Sequence, residues 1–291
     1  MLKNIVIFTL ILVLGLLLSG WDHMTGSQSV VVDNGNEIDG EEDGLARKDP
    51  ADNGKEPTPE TPHHEPPFED EPSDLPMVSI IIDDLGNNRE HDMSIANIEA
   101  DVTLAVLPFR DHTLEVAEFF ANRKEMILHL PLEPMSESEF EERMMKVDMT
   151  FEEMAGLLNE SLEELGSYVE GVNNHKGSRF TSDRRAMGTL LDIISEEDLF
   201  FVDSFTIGTS KGYALAKEKG IDTAVRDVFL DNSRDPEDIR NKLLKTVRLA
   251  EEQGEAIAIG HSSPETISVL VEEIPKLEDR VNFVPVSELL R

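Results

Sequence analysis

The chain has 291 residues, 60 acidic against 26 basic side chains, a formal charge of -34 and no cysteine. An acid balance of this size excludes binding to nucleic acid or anionic lipid through a basic surface. The missing cysteines exclude disulfides, thiolate zinc sites, iron–sulfur clusters and a cysteine nucleophile, so any metal must be held by His, Asp, Glu or carbonyl oxygen.

The first element is "MLKNIVIFTLILVLGLLLSGW", a short basic start followed by an apolar run from Ile5 to Leu18. It reads as a secretory signal or an uncleaved signal anchor over residues 1–25, which makes the protein extracytoplasmic, secreted or membrane-held through this segment alone. Trp21 stands where a lipoprotein would carry its lipidated cysteine, so lipidation is excluded. Residues 26–76 are rich in Asp, Glu, Gly, Pro and Ser ("NGNEIDGEEDG", "EPTPETPHHEPPFEDEPSD"). Such a stretch buries too little apolar surface to offset its ordering entropy and is expected to be a self-repelling tether.

A folded domain is expected over 77–291. "MVSIII" opens it, "DVTLAVLPF" follows a short helical stretch, and "EMILHLPLEP" follows the helix "HTLEVAEFFANR". "TFEEMAGLLNESLEELGSY" has Thr150 and Glu153 in the spacing of a capping box. "VEGVNNHKGS" reads as strand and loop, "RRAMGTLLDIISEEDL" as helix, "FFVDSFT" as strand. "KGYALAKEKG" is a helix closed by glycine, "AVRDVFLDN" a strand, and "PEDIRNKLLKTVRLAEEQG" a helix with proline in its first turn. "AIAIGHSSPE" and "VNFVPVSELL" close the series. Wholly apolar strands alternating with helices predict a parallel sheet covered on both faces, either an irregular (β/α) barrel or an open doubly wound sheet. No nucleotide-binding glycine motif follows the first strand.

Polar residues interrupt this pattern at the strand ends: Asp83 and Asp84, His129, His175, Asp203, Asp231 with Asn232, and His261. In a parallel barrel these ends share one rim, so the residues would converge on one cleft. A carboxylate with imidazoles suits zinc, manganese or iron with open positions for water. A bound cation would also remove the penalty of two adjacent like charges, leaving the second aspartate as a base. Asp83–Asp84 could equally be a turn, and Asp203 and Asp231 helix caps. "RDHTLE" and "EERMMK" read as solvated helix faces, and no context supports a serine nucleophile.

"VSIIIDDLG", "LAVLPF", "EMILHLPLEP", "GVNNHKGSRFT", "FFVDSFT", "RDVFLDN" and "AIAIGHSSPET" together resemble the divergent polysaccharide deacetylase family, distant relatives of the carbohydrate esterase deacetylases. The resemblance covers about 77–291 and implies an irregular (β/α)7 barrel. It implies Asp83 as catalytic base and Asp84 as metal ligand. His129 matches the first histidine of the relatives' His-x-x-x-His motif, but Glu133 occupies the second position, so the third ligand is Glu133 or, preferably, His175. His261 is implied as general acid and Arg179 as a substitute for a substrate-gripping arginine. Asp203 is expected beside the substrate site, orienting His261 or a ligand histidine. The implied activity is zinc-dependent deacetylation of a cell-envelope glycan. The alternatives are a non-catalytic glycan- or protein-binding module on the same barrel and, third, a metal phosphoesterase.

Overall fold

The computed structural model describes residues 75–291, and the signal segment with nearly all of the tether lies outside the described residues. Nine strands form one sheet: β1 (Met77–Leu85), β2 (Thr103–Val106), β3 (Met126–Leu132), β4 (Val169–Lys176), β5 (Phe200–Asp203), β6 (Thr223–Val225), β7 (Val228–Phe229), β8 (Glu255–His261) and β9 (Asn282–Phe283). Their order is β6-β5-β4-β3-β2-β1-β8-β7, with β9 added on β1, and every pairing is parallel. The helices α1 (Arg89–Ser94), α2 (Thr113–Phe120), α3 (Phe151–Leu165), α4 (Arg184–Glu196), α5 (Gly212–Lys219), α6 (Pro236–Gln253) and α7 (Pro264–Glu273) lie between the strands.

Outside β4 and the C-terminal rim the strands are mainly apolar because both faces are covered. Alternate residues Ile81, Ala105, Ile127, Val202, Ile257 and Ile259 form an inner core. Their neighbours Ile80, Ile82, Leu104, Val106, Leu128 and Phe201 pack outward against Leu190, Leu243, Val247 and other buried helix residues. The local signals act as expected. Thr150 and Glu153 form the capping box of α3, Pro236 starts α6, and left-handed glycines at 220 and 254 end α5 and α6.

The sheet curls into a half-barrel that stays open, since no ladder joins β6 to β7. "AVRDVFLDN", expected as one strand, breaks here into β6, which pairs with β5, and β7, which pairs with β8. The break has a polar cause. Arg226 turns aside to donate to the carbonyls of Ser204 (2.7 Å) and Phe205 (2.9 Å). Asp227 accepts from the backbone of Ile257 at 2.9 Å, capping the edge of β8. At the opposite end Val284, Val286 and Leu289 plug the inner core. Glu125 fixes this plug by accepting from the backbone of Val286 (2.9 Å) and from Thr103 (2.7 Å).

Candidate metal centre and active site

Asp83, Asp84, His129, His175 and His261 line one cleft of about 490 Å³ at the C-terminal ends of the strands. Register explains part of the gathering. In the ladders Asp83 lies beside His261 and His129 beside Asn173. Asp83 shares the inward face of Ile81, and His129 that of Ile127, so both side chains enter the barrel mouth. His129 sits three residues inside β3 rather than at its end.

Asp84 would point outward if β1 continued. Instead its φ is +68°, the β1–β2 register slips between Ile82 and Leu85, and its carboxylate swings into the rim. Such a conformation is uncommon for a residue with a Cβ and clusters at functional sites. Gly86 follows at φ +102°, with Thr113 Oγ1 and the carbonyl of Leu107 close to where a Cβ would stand. Its N–H donates to buried Asp92 at 2.8 Å. The bend therefore needs both residues.

Three atoms meet at this rim. Asp84 Oδ1 lies 2.9 Å from His175 Nδ1 and 3.2 Å from His129 Nε2, and the two ring nitrogens are 3.1 Å apart. The other side of each ring defines its tautomer. Asn173 Nδ2 donates to Asp83 Oδ1 at 2.9 Å, so Asn173 Oδ1 faces His129 Nδ1 at 2.7 Å and must accept from it. His175 Nε2 lies 3.0 Å from the Glu141 carboxylate and donates to it. Both rings thus turn a lone pair toward Asp84. Two imidazole nitrogens and a carboxylate oxygen facing one point repel unless a cation or a proton lies between them. The donor set fits a divalent ion that prefers nitrogen and oxygen, so Asp84, His129 and His175 can hold a metal.

The electrostatics follow. Burial raises the Asp83 carboxyl above its ordinary range, more than His129 and Asn173 lower it. Burial would raise Asp84 too, but a proton shared with the facing nitrogens of His129 and His175 outweighs burial, and the two imidazoles hold Asp84 far below the usual carboxylate range. Burial would lower His175, but Asp84 and Glu141 together push it up, so in the metal-free molecule a proton can take the cation's place. His261 is raised to about 9, chiefly by its hydrogen bond to Asp231. That bond joins His261 Nδ1 to Asp231 Oδ1 at 3.0 Å, while Asp231 Oδ2 accepts from the His261 backbone (2.8 Å) and Thr266 (2.7 Å). His261 Nε2 faces Asp84 Oδ2 at 3.8 Å.

Glu133 does not join the cluster. Its oxygens accept from Arg179 Nη1 (2.7 Å) and the backbone of Val147 (2.8 Å), holding the base of the excursion that follows β3. Arg179 is consequently drawn away from the cleft, and Arg226 lines it instead. Asp203 does not reach any histidine. It accepts from the backbone of Phe205 and Tyr213 and from Ser210, serving the turn into α5, because Asp231 and Asn173 already occupy the positions beside His261 and His129.

Sequence reasoning missed Asn173 and Glu141. Asn173 carried a weak signal, a buried-strand position two residues before His175. Glu141 carried none: "EERMMK" is not helical, Met144 and Met145 are buried, and Glu141 turns inward to His175.

Residues 80–290 match the divergent polysaccharide deacetylase family, and the chain belongs to it. It is 31% identical over 214 residues to the uncharacterized protein YibQ of Escherichia coli K12, covering 73% of this chain and 67% of that one. An uncharacterized protein of Agrobacterium tumefaciens C58, ATU2773, has the same fold (TM-score 0.71, 21% identity, 75% of this chain and 91% of that one). A mutant of BA3943, a CE4 family pseudoenzyme with restored enzymatic activity, is similar at a TM-score of 0.52 (14% identity, 74% and 67%). The architecture is a curled parallel half-barrel of the CE4 deacetylase type.

Proposed function

We propose that this protein is a metal-dependent hydrolase, best loaded with zinc, that removes acetyl groups from a cell-envelope polysaccharide outside the cytoplasm. One observation carries the reading: the lone pairs of Asp84, His129 and His175 converge between a buried carboxylate, Asp83, and an imidazole backed by a carboxylate, His261 with Asp231. When bound, the ion supplies Lewis acidity for the acetyl carbonyl and lowers the pKa of a water.

The chain's own groups do the rest. Asp83 accepts the proton of the attacking water, for which a raised carboxyl is suited. Asn173 holds Asp83 in place while fixing the His129 tautomer, so base and ligand move as one unit. His261 gives its Nε2 proton to the departing amine or alkoxide, and Asp231 keeps it charged until then. Arg226, Thr206 and Asn232 line the same cleft and offer partners for sugar hydroxyls. The N-terminal apolar segment and acidic tether support placement on the envelope side of the membrane, with no nucleic-acid partner.

The test is Asp83→Asn assayed for acetate release from N- and O-acetylated envelope glycans, with metal content measured by mass spectrometry. Turnover should fall by at least ~10²–10⁴-fold while metal is retained. Acetate release at the wild-type rate would refute the assignment. A wild-type domain that binds glycan but releases no acetate when metal-loaded would support the binding module instead.

A further inference from the structure

The excursion between β3 and α3, residues 133–150, reaches the site from outside the barrel. Its base is closed by Glu133 on Val147 and by the Leu132–Met145 bridge. Its middle carries Glu141 over the end of β4. Glu141 Oε1 lies 3.0 Å from His175 Nε2 and 2.6 Å from Lys176 Nζ, and Arg110 Nη2 donates to its other oxygen. Lys176 also donates to the carbonyl of Glu139 at 3.1 Å. Two cations therefore hold the carboxylate on the far side of the His175 ring.

We infer that Glu141 is the positioning residue of His175, and that the Glu133-closed excursion exists in this chain to bring it there. The inference rests on the reading of Asp84, His129 and His175 as metal ligands. Its physical basis is the ring's symmetry of choice. A histidine has two nitrogens, and only a partner on one of them commits the other to the metal. His129 has Asn173 for this task. His175, near the strand end, has only what the excursion delivers. The residue in the second histidine position, Glu133, contributes to metal binding indirectly, by closing the loop that carries Glu141.

The experiment compares Co(II) and Zn(II) affinity of the folded domain as wild type, E141A, E141Q and E139Q, with the His175 Nε2–H resonance followed by NMR without metal. Glu139 is an exposed carboxylate of the same excursion whose side chain is outside the network, so E139Q controls for net charge. E141A should weaken metal binding about 10–100-fold. E141Q, which keeps an acceptor oxygen, should lose less, and E139Q should match the wild type. The slowly exchanging Nε2–H signal should vanish in E141A. Affinities of E141A within twofold of wild type, or an equal loss in E139Q, would overturn the positioning role. If the wild type bound neither metal while E141A still lost the Nε2–H signal, the metal reading would fall and the tie between Glu141 and His175 would stand.

Discussion

Replacing Asp231 with Asn tests how the cleft controls its proton donor. One oxygen of Asp231 already accepts from two donors, the His261 N–H at 2.8 Å and the Thr266 hydroxyl at 2.7 Å. An asparagine would keep its carbonyl there and so present its NH₂ group to His261 Nδ1. Two donors would then face each other whenever the ring is protonated, so the imidazolium is disfavoured and His261 should titrate at or below its ordinary 6.5 rather than at about 9. At pH 7.5 a group titrating at about 9 is ~97% protonated and one at 6.5 only ~9%. If His261 is the acid, activity at pH 7.5 should fall by roughly tenfold or more, and the deficit should narrow toward pH 6.

The same change should cost stability in a defined window. The folded value of His261 is raised, so its contribution is complete below 6.5 and lost as pH rises through about 9. The folded value of Asp231 is lowered, so its contribution is present above 3.8 and lost as pH falls below that. A charge-assisted hydrogen bond contributes about 1.5–3 kcal/mol. The His261 ring is 41% exposed, so solvent screening leaves about 1 kcal/mol. This corresponds to a melting temperature lower by roughly 2–4 °C near neutral pH. NMR titration of His261 and a pH–rate profile of acetate release read both effects. An unchanged His261 titration in Asp231→Asn would refute the reasoning.

Metal affinity should rise with pH through the titration of His175, since a cation must displace the proton that Asp84 and Glu141 favour there; calorimetry in buffers of different ionisation enthalpy should detect proton release, and pH-independent binding would contradict it. Gly86→Ala should destabilise the domain by about 1–3 kcal/mol, since it places a Cβ at φ +102° and 3.0 Å from Thr113 Oγ1; an unaltered unfolding midpoint would remove the claimed strain. Leu289→Ala should cost about 2–5 kcal/mol by opening a cavity in the plug of the inner core; a cost below 1 kcal/mol would mean that the plug is marginal. Arg179→Met should leave substrate affinity unchanged, because Arg179 is engaged by Glu133 away from the cleft; a severalfold rise in KM would return it to the substrate site.

The strand–helix alternation was legible because it depends on local chemistry. Continuous apolar runs mark strands covered on both faces, and Thr150, Pro236 and Gly254 mark helix ends through bonds or dihedrals of their own neighbourhood. The gathering of Asp83, Asp84, His129, His175 and His261 was legible for a topological reason. Parallel strands carry their C-terminal ends to one rim, whatever the details of packing. The contacts of Arg179 and Asp203 and the break in "AVRDVFLDN" were not legible, because each depends on which of several nearby partners wins. Position along a strand does not say that Glu133 captures Arg179, that the α5 turn captures Asp203, or that Arg226 leaves the sheet for two carbonyls.

The sequence by itself determined a parallel α/β domain with a carboxylate–imidazole rim, since residue type and spacing are enough to place side chains on a face and at an end. Only the tertiary structure set His175 rather than Glu133 beside Asp84 and His129, revealed the left-handed turn at Asp84, and supplied Asn173, Glu141 and Asp231 as partners of the three histidines. Those choices turn on small differences in distance between segments far apart in the chain, such as those carrying Asp83 and Asn173. No local pattern encodes such distances; they emerge when the packed core fixes the register of each strand against its neighbours.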